Sequence, residues 1–456
     1  MSSFLELRID RCGRLATLAC VLVIAACGGD IAETAGGAAE ADTGEYVVER
    51  SDADGVETVR TVSGSRWGGA PRLVEELAIG EELGDDAYLF GSINDAWATD
   101  DRIYVVDSQV PAVRAFDHEG NFLNQIGGVG QGPGEYSRPI GLAVDGEGRV
   151  LVTDLQGARM NVFDAEGNRI DDWSLGSPMA ALGLQVMSDG EIFTRVAEMP
   201  DGSDGVVRIT EGMQAIGPDG RTGDPVYPPE FDYEPPTVSV EAGNNSFEMS
   251  ILPFTPQYQW ALAPGGEMIA GVGKEYRFEI HRPDGGITAV EKTWNPVAVN
   301  PGEREFRAEM AASNVRQMAP EFVIPASDVP DTKPAFTGLT PDRSGRVWVT
   351  RQGPSELDPD CRETGGGSGM AIMITGGGET RVSSTGGDES EVEEECWMNT
   401  YMFDVFDLAT GEFLGTVPAP EPGFTQPRFV ADDVVLASVT DELGIVRLKK
   451  YRLVID

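Results

Sequence analysis

Four arginines, Arg114, Arg138, Arg159 and Arg351, stand near the strand ends of a repeated pattern, where their guanidinium forks could line an anion-binding mouth. The chain carries a formal charge of −42, so structural pairing with that excess of carboxylates is the competing and more economical role. Asn94, Asp107, Glu135 and Asp154 bring side-chain oxygens to the same region, although Asp107 and Asp154 also sit where a turn cap would end a strand. His118 and His281 are the only histidines, and both read as solvated turn residues. No Gly-Xaa-Ser-Xaa-Gly elbow occurs, so a serine triad lacks its turn as well as its base. Gly365–Gly369 and Gly376–Gly378 are not followed by Lys-Ser/Thr, which removes the phosphate-loop reading. No catalytic residue is assigned.

The elements that must position these residues repeat. Asp107 and Asp154, Phe116 and Phe163, and Gly120 and Gly167 are each 47 residues apart. Three anchors on one period of that size mark a solenoid, propeller or array. Each unit holds four short β-rich runs split by Gly, Asp and Asn turns, the make-up of a propeller blade. Weaker units open at Leu182, Trp260, Leu339 and Phe429, and the last runs out of chain after three strands. Leu73 to Gly80 supplies the missing outer strand, which closes the ring and removes its open edges. The expected fold is all-β: a six-bladed β-propeller over 72–456, closed by an N-terminal strand, with insertions at 223–254, 298–332 and 353–399. Strand order puts all three insertions on one face. The second reads as carrying a short helix over Glu303–Gln317.

Residues 1–26 form a targeting segment, with Arg8, Arg11 and Arg14 ahead of an apolar run too short to span a bilayer. The segment ends in Ile24-Ala25-Ala26-Cys27-Gly28, which resembles a bacterial lipobox and implies lipid attachment at Cys27. Residues 27–71 are rich in Gly, Ala and acidic residues and read as a flexible tether of roughly 45 residues, with a reach of about 35–40 Å. A tether entering the last blade opposite the insertions would point the insertion-bearing face away from the membrane. Cys361 and Cys396 remain as an even pair in an oxidising compartment and read as a disulfide worth about 3 kcal/mol. The net charge makes nucleic acid and anionic membrane surfaces unsuitable partners.

Gly130-Gln131-Gly132-Pro133-Gly134-Glu135-Tyr136, Pro139 to Asp145 and Val152-Thr153-Asp154 resemble the NHL-repeat pattern, and 72–456 resembles the six-bladed β-propeller lipoproteins of bacteria. That resemblance implies fold far better than function. Regucalcin-like gluconolactonases hold calcium in the channel with acidic and amide ligands, which makes Asn94, Asp107, Glu135 and Asp154 the residues to examine for calcium. Otherwise no cofactor is expected. The expected protein is a monomer in the bacterial cell envelope, lipid-anchored at the outer membrane. It would act as a non-catalytic binding scaffold for a protein, peptide or glycan on the insertion-bearing face. The alternative is a calcium-dependent hydrolase or lactonase working at the channel mouth.

Overall fold

The computed structural model describes residues 44–198, 210–242, 245–249, 251–316, 319–358, 370–374, 380–384, 396–441 and 443–455. The chain is mostly β and forms a six-bladed propeller of antiparallel sheets. Blade 1 consists of Ile93–Ala98, Ile103–Asp107, Ala112–Phe116 and Phe122–Ile126. Blade 2 repeats it with Pro139–Val144, Val150–Asp154, Arg159–Phe163 and Arg169–Ser174. The inner strands of blades 3, 4 and 5 are Leu184–Val186, Tyr258–Leu262 and Gly338–Pro341. Blade 6 comprises Phe429–Ala431, Val434–Thr440 and Val446–Val454, with Arg72–Ile79 as its outer strand. Arg72 pairs with Val454 and Ile79 with Leu448, so the expected closure is present.

The 47-residue period has a local cause. Asp117 accepts hydrogen bonds from the backbone and side-chain amides of Asn121, both at 2.8 Å, and Asp164 does the same for Asn168 at 2.8 and 2.9 Å. Gly120 and Gly167 complete these turns at φ of 85° and 87°, a conformation that costs glycine nothing. Phe116 and Phe163 follow the same period into the core, where each is almost fully buried. The apolar clusters lie between successive blades. Tyr104, Val106, Leu142, Val152 and Phe163 seal blades 1 and 2, whereas Met187, Met213, Leu262 and Met268 make a leaner seam between blades 3 and 4.

The N-terminal region departs from the tether expectation. Val47–Ala53 and Val56–Ser63 form a hairpin around Asp54-Gly55, whose φ values of 53° and 81° suit a two-residue primed turn. Its second strand pairs in parallel with Ile287–Lys292, the outer strand of blade 4, giving a six-stranded sheet. Val59 and Thr61 are buried there. Arg50 bridges Glu57 at 2.7 Å and Glu412 of blade 5 at 2.8 Å. Backbone bonds from Arg66 to Phe413 and from Trp67 to Leu414 then carry the chain along blade 5 towards its place in blade 6. The segment is ordered because it covers the exposed outer edges of blades 4 and 5, a gain that composition does not register.

The hairpin also places the first described residues at the insertion-bearing end of blade 4. Val56 pairs with Ile287, just after the Asp284-Gly285 turn, and Thr61 with Lys292, which leads into the 298–332 insertion. Val47 pairs with Ser63 and therefore lies at the insertion-bearing end of blade 4. Residues 1–43, with Cys27, lie outside the described residues.

Candidate functional site

Asp107 is fully buried, and its carboxylate accepts four backbone N–H bonds, from Gly91 at 2.8 Å, Ser92 at 3.1 Å, and Gln109 and Val110 at 3.0 Å. It ties the end of its own strand to the link entering blade 1. Asp154 does the equivalent for blade 2, accepting from Arg138 at 2.8 Å and Ser137 at 3.4 Å. Arg114 lies 3.5 Å from Asp107 and stacks 5.1 Å from the Phe90 ring centre. Arg159 lies 4.0 Å from Asp154 and donates to the carbonyls of Gln131 at 3.1 Å and Glu135 at 2.5 Å. Glu135 turns back to accept from the Gly132 amide at 2.8 Å. Asn94 sits in the bulge of the first inner strand, where its Oδ1 is buried with no hydrogen-bond donor among the described residues. Arg138 is half-buried in the link between blades 1 and 2. The structure thus joins Asp107 to Arg114 and Asp154 to Arg159, and a cation would have to displace backbone donors from either aspartate. Among the described residues no group of three or more His, Cys, Asp or Glu is placed to hold a metal ion. His118 bonds the Thr99 carbonyl and His281 bonds Glu279, each at 2.9 Å.

Arg351 belongs to a separate network that joins blades 4 and 5. It approaches Asp404 at 3.2 Å, beside Lys292 at 3.0 Å, while the hydroxyls of Thr416 and Tyr276 each donate to Asp404 at 2.6 Å. Burial alone would raise the Asp404 pKa, but Lys292, Arg351 and the two hydroxyls outweigh it and hold the carboxyl well below the usual carboxylate range. Burial, reinforced by Asp404, pushes the Tyr276 hydroxyl well above its ordinary value.

The three insertions form one platform. Helix α1, Pro301–Arg316, starts with proline at its first position and with Asn300 Oδ1 accepting from the Gly302 amide at 2.9 Å. Its inward face, Ala308 and Ala312, packs with Ile324 and Val329 of its own insertion and with Ile251, Leu252 and Phe254 of the first. Val315 and Ala319 pack against Val240 of the first insertion's hairpin. The third insertion joins through Glu303 and Lys333, each 1% exposed and 3.0 Å apart. Lys333 also donates to the Gly353 carbonyl at 2.9 Å and to Ser355 at 2.7 Å, and Ser355 donates to Glu303 at 2.5 Å. Burial lowers the Lys333 pKa, and Glu303 pulls it back up. Arg307 donates to the Trp397 carbonyl of the two-stranded ribbon Glu356–Asp358 and Cys396–Met398. Cys396 is buried at its start, and Cys361, the expected partner, lies outside the described residues, as do the glycine runs 365–369 and 376–378. Val323, Leu357 and Met398 stay exposed on this platform.

Glu303, Lys333, Trp397 and Asp404 were not legible as a set, because each gains its meaning from a partner on another element. The rarity of lysine was the one signal available for Lys333, one of five in the chain.

A sequence family described as 6-bladed beta-propeller matches residues 84–175. No curated protein matches the chain. Among solved structures, a Bacteroides fragilis protein described as exported is 11% identical, with a TM-score of 0.41 over 84% of this chain and 95% of that one. A virginiamycin B lyase from Staphylococcus aureus is 12% identical, with a TM-score of 0.35 over 84% of this chain and 100% of its own. A gluconolactonase from Xanthomonas campestris is 13% identical, with a TM-score of 0.32 over 83% and 98%. Among the described residues no helix is long and apolar enough to cross a membrane.

Proposed function

We propose that the protein is a non-catalytic binding scaffold of the bacterial cell envelope, anchored by lipid at Cys27, whose insertion-bearing face receives a protein partner. The observation that carries this reading is the joining of three insertions, separate in the chain: the first two share an apolar core, and the third is hydrogen-bonded to the buried Glu303–Lys333 pair and to Arg307. Neutral loop insertions have no need of common packing, whereas binding residues are characteristically held on loops fixed by a rigid scaffold. The exposed Val323, Leu357 and Met398 supply the apolar contacts that a protein partner buries. A disulfide from Cys361 to Cys396 would close the third insertion beside them. The test is co-purification from detergent-extracted native membranes with full-length protein and with the double variant Leu357→Asp/Met398→Asp. Loss of a partner from a variant that melts like the parent supports the reading, and retention of every partner overturns it.

A further inference from the structure

The central channel has a composition unlike the rest of this acidic molecule. It encloses about 270 Å³ and is walled by inner-strand residues of all six blades. Three arginines face it, from three blades and at non-equivalent positions: Arg195 on the second strand of blade 3, Arg343 in the first turn of blade 5 and Arg428 just ahead of the blade 6 inner strand. Asp95 is the carboxylate among the wall residues. Its oxygens are already engaged, accepting from the Leu142 amide at 2.9 Å and the Ala96 amide at 2.8 Å. Burial pushes the Asp95 carboxyl up to about 7, against those two amides and the Arg428 charge. With Arg195 paired to Glu211, the channel holds an excess of one to two positive charges.

Two of the arginines have buried donors to spare. The Nε groups of Arg195 and Arg428 are buried with no hydrogen-bond acceptor among the described residues. Arg195 spends one terminal nitrogen on Glu211 at 3.1 Å, while the Arg428 side chain donates to no described residue. A buried, unsatisfied charged donor is costly, and an acceptor brought by a ligand would relieve that cost. The wall also carries two indoles. Arg343 lies 4.8 Å from the Trp97 ring centre and Arg195 lies 5.2 Å from that of Trp260. Trp97 is on blade 1 and Trp260 on blade 4, opposite each other across a six-bladed ring. At about 30 Å³ per water the volume equals roughly nine waters, which suits a small molecule and not a chain segment with side chains.

We propose that the channel binds a small organic anion, its carboxylate on the Arg428 and Arg343 guanidiniums and its apolar body against Trp97 and Trp260. This site is independent of the insertion platform. The test is isothermal titration of the full-length protein at low ionic strength with benzoate and with its uncharged counterpart benzamide. Benzoate is expected to bind saturably and benzamide on the order of tenfold or more weaker, the scale of a lost charge-assisted hydrogen bond. The Arg343 side chain is exposed and donates to no described residue, and its backbone N–H bond to the Val430 carbonyl does not depend on the side chain, so Arg343→Ala should fold as the parent does and weaken benzoate by roughly tenfold. Arg343→Lys should recover part of that loss. Benzoate silent up to about 10 mM, equal binding of the two probes, or unchanged benzoate affinity in a normally melting Arg343→Ala protein would each overturn the proposal.

Discussion

Replacing Lys333 by methionine should loosen the platform far more than the ion pair itself is worth. Both partners are 1% exposed, and Glu303 would keep only the Ser355 hydroxyl as a donor. Removing one member of a buried pair strands the other charge in a low-dielectric site, at a cost of about 3–5 kcal/mol, whereas removing both together is close to neutral. For the roughly 370 described residues at ~2.1 cal/mol/K each, the unfolding entropy is about 0.8 kcal/mol/K, so the single variant should melt about 4–6 °C lower if the platform unfolds with the propeller. If it opens by itself, the loss appears instead as faster proteolysis near residues 316–321 at temperatures where the blades stay protected. Lys333→Met combined with Glu303→Gln should recover most of the loss in either assay. Calorimetry with limited proteolysis separates the two modes. A Lys333→Met protein indistinguishable from the parent in both, or a double variant as unstable as the single, would refute the argument that this pair clamps the insertions.

Three further outcomes follow from the same structure. The Asp404 carboxyl is held below its unfolded value, so its contribution is complete above about pH 4 and is lost as pH falls through the lowered folded value. Asp404→Asn should therefore destabilise at neutral pH by about 3–5 kcal/mol, through loss of the buried carboxylate beside Lys292 and Arg351, and should flatten the acid limb of a melting-temperature profile below about pH 4. Deleting residues up to 63 uncovers the outer strand of blade 4, and light scattering on warming should show earlier aggregation than in the parent. An anion in the channel adds negative charge beside Asp95, which faces Arg428, Arg195 and Arg343 there and is bonded by the Leu142 and Ala96 amides. Benzoate binding should therefore take up a proton and weaken as pH rises through about 7, and Asp95→Asn should abolish that slope in titrations between pH 6 and 8.

What could be read in advance followed from locality. Asp117 with Asn121 and Asp164 with Asn168 are short-range turns, so their spacing announces the blade before any tertiary contact is known. Closure by Arg72–Ile79 was legible because that strand resembles the outer strand of blade 1. The hairpin at 47–63 was hidden by composition: apart from Val59 and Thr61 it buries little, and Asp54-Gly55 was the signal that went unused. The oxygens of Asp107 and Asp154 were visible as residue types, but their occupation by backbone amides depends on where each incoming link passes. Arg195, Arg343 and Arg428 break the repeat, and only closure of the ring brings them to one channel.

The most direct test of the proposed function is a photo-crosslinking residue placed at Leu357 on the insertion platform and, separately, at exposed Asp284 on the opposite face, in full-length protein expressed in its own envelope. A discrete crosslinked partner from Leu357, absent from Asp284, is the predicted result. Crosslinks from Asp284 alone, or the same partner from both positions, would contradict it.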